Sequence, residues 1–260
     1  MRELVYLGLV VFLTLRSATP SVAAHAEPTE TVVLLHGVAM PALVMHRVAR
    51  GLRADGYRTI NLSYPSRTMP IEQIARDYLP AQLRAHGVES ATRLHFVTHS
   101  MGSLVLRLYL RDHRLTNLGR VVMVAPPNHG STAADGAVQQ SALRWLLGIN
   151  LARLGTGDAG IARTLGPATF EVGIVAGNAA INPLFKRRLA GPHDGAVTVE
   201  SAKLEGMRDF IVLPHSHTLL LWRADTIAQV LAFLRHGHFA RANPPKPVSA
   251  ELASPPGEAE

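Results

Sequence analysis

From residue 31 onward, short runs of nearly unbroken apolar residues alternate with longer stretches in which apolar residues return every three or four positions. The first kind comprises residues 31–35, 94–97, 118–124, 170–176 and 210–213, with 58–64 a more polar member. The second comprises residues 41–54, 70–86, 101–112 and 218–234, the last with Leu219, Leu220, Ile227, Val230, Leu231 and Leu234 in phase. A strand without polar alternation is buried on both faces, and strands separated by helices are joined by crossovers rather than hairpins. The pattern therefore predicts an α/β fold with a mostly parallel sheet covered by helices on both faces. Punctuation agrees with it. Pro41 suits a first helical turn, Gly56 and Gly87 follow helix ends, and Pro65 and Pro126-Pro127 stop strands. In such a sheet, reactive groups collect on loops at the carboxyl ends of the strands.

Three segments depart from the alternation. Residues 131–169 are too long for an ordinary connection. Within 141–154, Leu143, Trp145, Leu146, Leu147, Ile149, Leu151 and Leu154 give one amphipathic stretch more apolar surface than a single helix face needs. The segment is expected to cap a hydrophobic site, with Trp145 and Leu147 contacting substrate. A helix packed plainly on the core is the alternative. At the start, Arg2, an apolar run over 4–15 and the small-x-small triplet Ala24-His25-Ala26 read as a signal peptide over 1–26. That run is shorter than the ~20 residues a spanning helix needs. The expected location is the periplasm or the exterior, with an uncleaved N-terminal anchor as the alternative. Residues 238–260, rich in Pro and Ala, are expected to form a disordered tail, leaving one domain over 27–237.

Composition narrows the classes. Of 260 residues, 47% are apolar and 17% charged, enough for a substantial core. The formal charge of +7 comes from scattered arginines, without a basic run interleaved with aromatics. That pattern indicates a solvated surface and argues against nucleic acid as a partner. The chain has no cysteine, which excludes disulfides, a thiolate nucleophile, Cys-ligated metal and a lipid-bearing cysteine.

The chemistry concentrates at Thr98-His99-Ser100-Met101-Gly102, where a strand pattern passes straight into a helix pattern. This is close to a nucleophile elbow, in which a sharp turn lifts a serine hydroxyl clear of the sheet. Small residues two before and two after the serine let strand and helix pass closely. Gly102 meets that need, while Thr98 stands where glycine is usual. A serine hydroxyl needs a base to take its proton and an acid to orient that base. Asp194, beside Gly195 in a loop after the 170–176 strand, and His217, after the last strand, follow Ser100 in the order Ser, Asp, His. His215 is a rival base, and Glu200 and Asp209 are rival acids, Asp209 standing at the wrong edge of the sheet. Oxyanion donors are expected at the backbone N–H groups of Met101 and of Val38, the latter in the turn after His36-Gly37. His215-Ser216-His217 has the form of a chelating pair, but no further histidine and carboxylate grouping supports a metal. Neither metal nor cofactor is expected.

Together Leu35-His36-Gly37, Thr98-His99-Ser100-Met101-Gly102, Asn128-His129-Gly130-Ser131, Asp194-Gly195 and His217 resemble the motifs of α/β-hydrolases of the bacterial lipase and esterase kind. The resemblance spans roughly residues 31–235. It implies acyl-ester chemistry without a cofactor on a small-molecule or lipid ester, and transient contact at a membrane surface is a further expected partner interaction. An acyltransferase or thioesterase using the same triad is the alternative within enzymes, and a non-catalytic binding protein on the same fold is the alternative outside them. Oligomeric state, acyl chain length and any role for His129 are not legible in the residues.

Overall fold

The computed structural model describes residues 30–180 and 189–241. The expected signal segment lies outside the described residues, as does the chain from 242. Six strands form a single sheet: β1 (Thr31–Leu35), β2 (Arg58–Leu62), β3 (Leu94–His99), β4 (Leu118–Val124), β5 (Val172–Gly177) and β6 (Asp209–Leu213). Their spatial order is β2-β1-β3-β4-β5-β6, and every neighbouring pair is parallel. The order reverses at β1, with β2 on one side of it and every later strand on the other. The loops leaving β1 and β3 therefore part there, and a crevice opens between them.

Alternation along each strand divides the core into two layers. Val33, Leu35, Phe96, Met123 and Ile174 face one side. There they meet α2 (Ile71–Gln73), α3 (Leu79–Ala85) and α4 (Met101–Asp112) through Ile71, Leu79, Leu83, Leu104, Val105 and Leu108. A π turn, Ile74–Tyr78, joins α2 to α3. Val32, Leu34, Val97, Val122, Val124 and Val175 face the other side. They pack on Val48 and Leu52 of α1 (His46–Ala54), and on Val230, Phe233 and Leu234 of the closing helix, Ala224–His236. Burial on both faces is what the unbroken apolar runs required.

Three expectations need correction. The stretch 218–234 is not one helix. A 3-10 turn, Leu219–Trp222, ends at Arg223 in extended backbone before the closing helix starts. That break buries Leu220 and Leu221 while Arg47 holds the Trp222 carbonyl at 2.8 Å. Thr218 gives no side-chain cap. The amphipathic stretch 141–154 is likewise divided. Following α5 (Thr132–Val138), α6 (Ser141–Leu147) stops at Gly148, whose φ of 83° ends the helix, and a 3-10 turn, Ala152–Leu154, follows. Finally, the chain is still packed at the start of the expected tail. Phe239 is fully buried with its ring 5.2 Å from Phe233, and Arg241 pairs with Asp209 at 2.6 Å. A short helix, α7 (Val199–Ala202), precedes β6, and the closing helix is α8.

Candidate active site

Ser100 sits between β3 and α4 with φ 51° and ψ −122°, a conformation that side-chain-bearing residues seldom adopt. The surroundings hold it there, as a strained functional backbone requires. The Ser100 N–H donates to the Val124 carbonyl at 3.0 Å, and α4 begins at the next residue. A Cβ at Gly102 would lie 2.6 Å from the Leu35 carbonyl oxygen, so only glycine lets α4 press its first turn against the end of β1. Thr98 serves where glycine is usual because its buried hydroxyl bonds the Ser103 hydroxyl at 2.8 Å. The threonine fastens the strand to the first turn of α4.

The acid and base come from two neighbouring loops after β5 and β6. Asp194 is 2% exposed. One of its carboxylate oxygens accepts the N–H groups of Ala196 and Val197 at 2.9 and 2.8 Å. The other lies 2.8 Å from Nδ1 of His217, whose own backbone N–H donates to the Asp194 carbonyl at 3.0 Å. Burial pushes the Asp194 carboxyl up, but the His217 ring and the two backbone donors outweigh it. The group is held below the usual carboxylate range. Because a carboxylate only accepts, Nδ1 carries a proton, and in the neutral imidazole Nε2 is therefore the acceptor. The His217 ring and Ser100 line the same cavity, with no hydrogen bond between them among the described residues.

The rivals are committed elsewhere. His215 pairs with Asp225 in the first turn of α8 at 2.7 Å. Since His215 and His217 face different carboxylates, they do not converge as a chelate. Glu200 is exposed and paired with Lys203. Asp209 stands at the opposite end of β6 and is bound by Arg241 and the Phe239 N–H.

The turn after β1 is braced from below. The ring of His36 stacks on Tyr64 at 4.1 Å, and the Tyr64 hydroxyl donates to the His36 carbonyl. The Ala39 N–H donates to the Ser66 hydroxyl at 3.1 Å, holding Ala39 at φ 55°. Between these anchors, the Val38 N–H has no protein acceptor among the described hydrogen bonds, and neither has the Met101 N–H at the amino end of α4. Two free donors at a switch point and a helix terminus suit a developing negative charge.

The cavity over Ser100 measures about 280 Å³. Leu143, Leu147, Leu151 and Leu154 wall it on the side of the 131–169 insertion, and Val38 and Met40 on the side of the β1 turn. Leu147 therefore reaches the cavity. Trp145 does not. It is 76% exposed on the outer face of α6, with the Arg67 guanidinium 5.6 Å from its ring centre. The amphipathic stretch thus has two apolar faces, Leu143 and Leu147 inward and Trp145, Leu146 and Ile149 outward.

Sequence reasoning assigned no role to three residues that shape this cavity. Asn150, buried, donates to the Ser66 and Met69 carbonyls and accepts the Ile71 N–H, fixing the insertion to the chain before α2. Ser131 caps α5 and donates to the Ala196 carbonyl at 2.6 Å, tying the insertion to the acid loop. His99, beside Ser100, is fully buried in the cavity wall. A histidine at the end of a buried strand, just before the elbow serine, was the available signal for His99. Ser131 stood in the Asn128–Ser131 motif, which carried the resemblance without giving it a role, and Asn150 carried no signal beyond being a polar residue among leucines.

No protein-family model matches the chain, and no curated protein matches it. Solved structures do. A lipase from Bacillus licheniformis superposes with a TM-score of 0.62 at 20% identity over 80% of this chain and 92% of its own. Phospholipase PlaB from Legionella pneumophila gives 0.58 at 19% identity over 73% and 53%. An esterase from Pyrococcus furiosus gives 0.56 at 17% identity over 80% and 81%. At such identities the likeness is one of fold. With the parallel sheet, the flanking helices and the elbow at Ser100, it shows that this chain has the α/β-hydrolase fold that these structures share.

Proposed function

We propose that the protein is an exported serine hydrolase that cleaves carboxylic esters. The observation that carries the reading is the placement of Ser100, on a strained elbow, in one cavity with a His217 ring oriented by buried Asp194 at 2.8 Å. The Ser100 hydroxyl attacks the ester carbonyl while Nε2 of His217 takes its proton. The resulting oxyanion is held by the N–H groups of Val38 and Met101. Collapse of the tetrahedral intermediate expels the alcohol, which takes the proton from His217, and leaves an acyl-serine. Water, deprotonated by the same ring, releases the acid and restores the hydroxyl. Asp194 stays ionised and stabilises the imidazolium formed in each half. The Ser100–His217 hydrogen bond closes when substrate fills the cavity, as catalytic bonds that are open in the free enzyme commonly do.

The acyl chain lies against Leu143, Leu147, Leu151 and Leu154, which favours lipid-derived esters. The segment 1–26 supports export. Among the described residues no helix is long and apolar enough to cross a membrane. Turnover of a chain-length series of nitrophenyl esters tests the reading, with Ser100→Ala as control. The variant should keep its fold and lose on the order of 10³-fold or more in kcat. Near-native turnover by folded Ser100→Ala would remove Ser100 from the mechanism.

A further inference from the structure

We infer that His99 is a positioning residue that ties the general base to the strand carrying the nucleophile, an inference that rests on the ester-hydrolase reading. His99 ends β3 and precedes Ser100, so its backbone sets the elbow. Its side chain turns the other way, toward the β6 loop. Nε2 lies 3.1 Å from the His217 carbonyl oxygen, and the two rings stand 4.8 Å apart at 51°. A carbonyl only accepts, so Nε2 of His99 carries the proton and the ring donates.

This bond differs in kind from the other restraints on His217. The two bonds to Asp194 tie the base to the acid loop. They fix the ring tautomer and orient the base against the acid, and neither reaches β3. The bond from His99 crosses to the nucleophile side, so one residue sets the serine through its main chain and the histidine through its side chain.

The other nitrogen gains no protein partner from this placement. With the proton on Nε2, Nδ1 is an acceptor, and it is buried without a protein hydrogen-bond partner among the described residues. It faces the turn after β1, where a Cβ built at Gly37 would stand 2.9 Å from it. An orphaned buried acceptor is costly, and an apolar side chain of similar shape would avoid that cost. Burial and the nearby His217 ring keep the His99 imidazole neutral, with a pKa lowered to about 3, so it neither titrates during turnover nor competes as a base. What histidine supplies, and an apolar residue does not, is the N–H toward His217.

The test compares two side chains of nearly equal length in the full chain. His99→Gln retains an N–H donor at comparable reach, and His99→Met does not. We expect His99→Met to lose roughly 10- to 100-fold in kcat on nitrophenyl butyrate, in the range a small misplacement of catalytic groups produces. KM and Tm should stay near wild type, and His99→Gln should recover most of the loss. Wild-type kcat in His99→Met overturns the inference. So does equal impairment of both variants, or a loss of kcat that follows a loss of Tm. Failure of the hydrolase reading looks different: wild type would then hydrolyse no ester and take up no fluorophosphonate. In that event the proton shared by His217 and Asp194 is followed by NMR. A low-field signal sharp in wild type and His99→Gln but broadened in His99→Met upholds the link, and an unchanged signal in His99→Met refutes it.

Discussion

Much at the residue level follows from which end of the sheet a group occupies. Asp209 and Asp194 are both aspartates near the last strands. Only Asp194 lies beyond a carboxyl end, where His217 can reach it, whereas Asp209 is bound by Arg241 at the amino end. The order of elements was enough to separate them. Choosing between His215 and His217, two residues apart, depended on a partner that the order of elements does not reveal, Asp225 at the start of α8. His217→Ala should therefore abolish ester turnover. His215→Ala should keep kcat within severalfold and lose some stability with the Asp225 pair, an exposed pair being worth roughly 0–1 kcal/mol. Assaying both at saturating substrate decides the point, and a dead His215→Ala beside an active His217→Ala would reverse the assignment.

Burial of histidines also makes stability depend on pH. His99 is faced by His217, Asp194 and His36, and burial is the largest influence on it, lowering its pKa from 6.5 to about 3. Burial lowers His36 and His95 as well. A folded-state pKa below the unfolded value means that the unfolded chain binds more protons between the two. The stabilisation is thus complete above about 6.5 and is lost as pH falls toward 3. One such group costs roughly 1.4 kcal/mol for each pH unit inside that window. Tm should fall steadily from pH 7 to pH 4, and His99→Gln should flatten the decline. Parallel curves for the two proteins would show that His99 contributes nothing to it.

Elements were legible wherever one physical rule governed them. The strands and α4 followed from unbroken apolar runs and punctuation. The stretch 141–154 was legible in composition but not in shape, because two different surfaces share it. Leu143 and Leu147 turn to the cavity while Trp145, Leu146 and Ile149 turn out, and Gly148 ends the helix before Ile149. Substrate contact by both Trp145 and Leu147 was expected, and only Leu147 reaches the cavity. Leu147→Gln should consequently weaken kcat/KM on octanoate esters far more than on acetate esters, since each buried methylene is worth roughly 0.8 kcal/mol. Trp145→Gln should leave both substrates unaffected in free solution. Equal losses on both esters for Leu147→Gln, with Tm falling in step, would make the segment plain core.

At the scale of the molecule, the outward apolar residues acquire a common position. Trp145, Leu146 and Ile149 lie on the insertion, Leu43 follows the β1 turn, and Leu219 and Trp222 follow His217, so the segments after the carboxyl ends of the strands carry six of the seven exposed large apolar residues among the described residues, Val212 of β6 being the exception. No single stretch of sequence shows this, because it arises from folding three distant segments onto one edge. Both tryptophans of the chain are among them, each with an arginine 5.6 Å from its ring centre, Arg67 at Trp145 and Arg47 at Trp222. Aromatic rings and arginines of this kind suit the boundary between acyl chains and anionic headgroups. Leu143 and Leu147, on the same helix as Trp145, wall the cavity that holds Ser100. Because no other tryptophan is present, intrinsic fluorescence reports the edge directly. Phosphatidylglycerol vesicles should shift the emission to the blue and raise turnover of long-chain esters, phosphatidylcholine vesicles should do so less, and salt should reverse the effect by screening. Arg47→Gln with Arg67→Gln should reduce vesicle binding while leaving hydrolysis of a soluble acetate ester unchanged. Emission indifferent to both kinds of vesicle would leave the six residues as ordinary exposed surface.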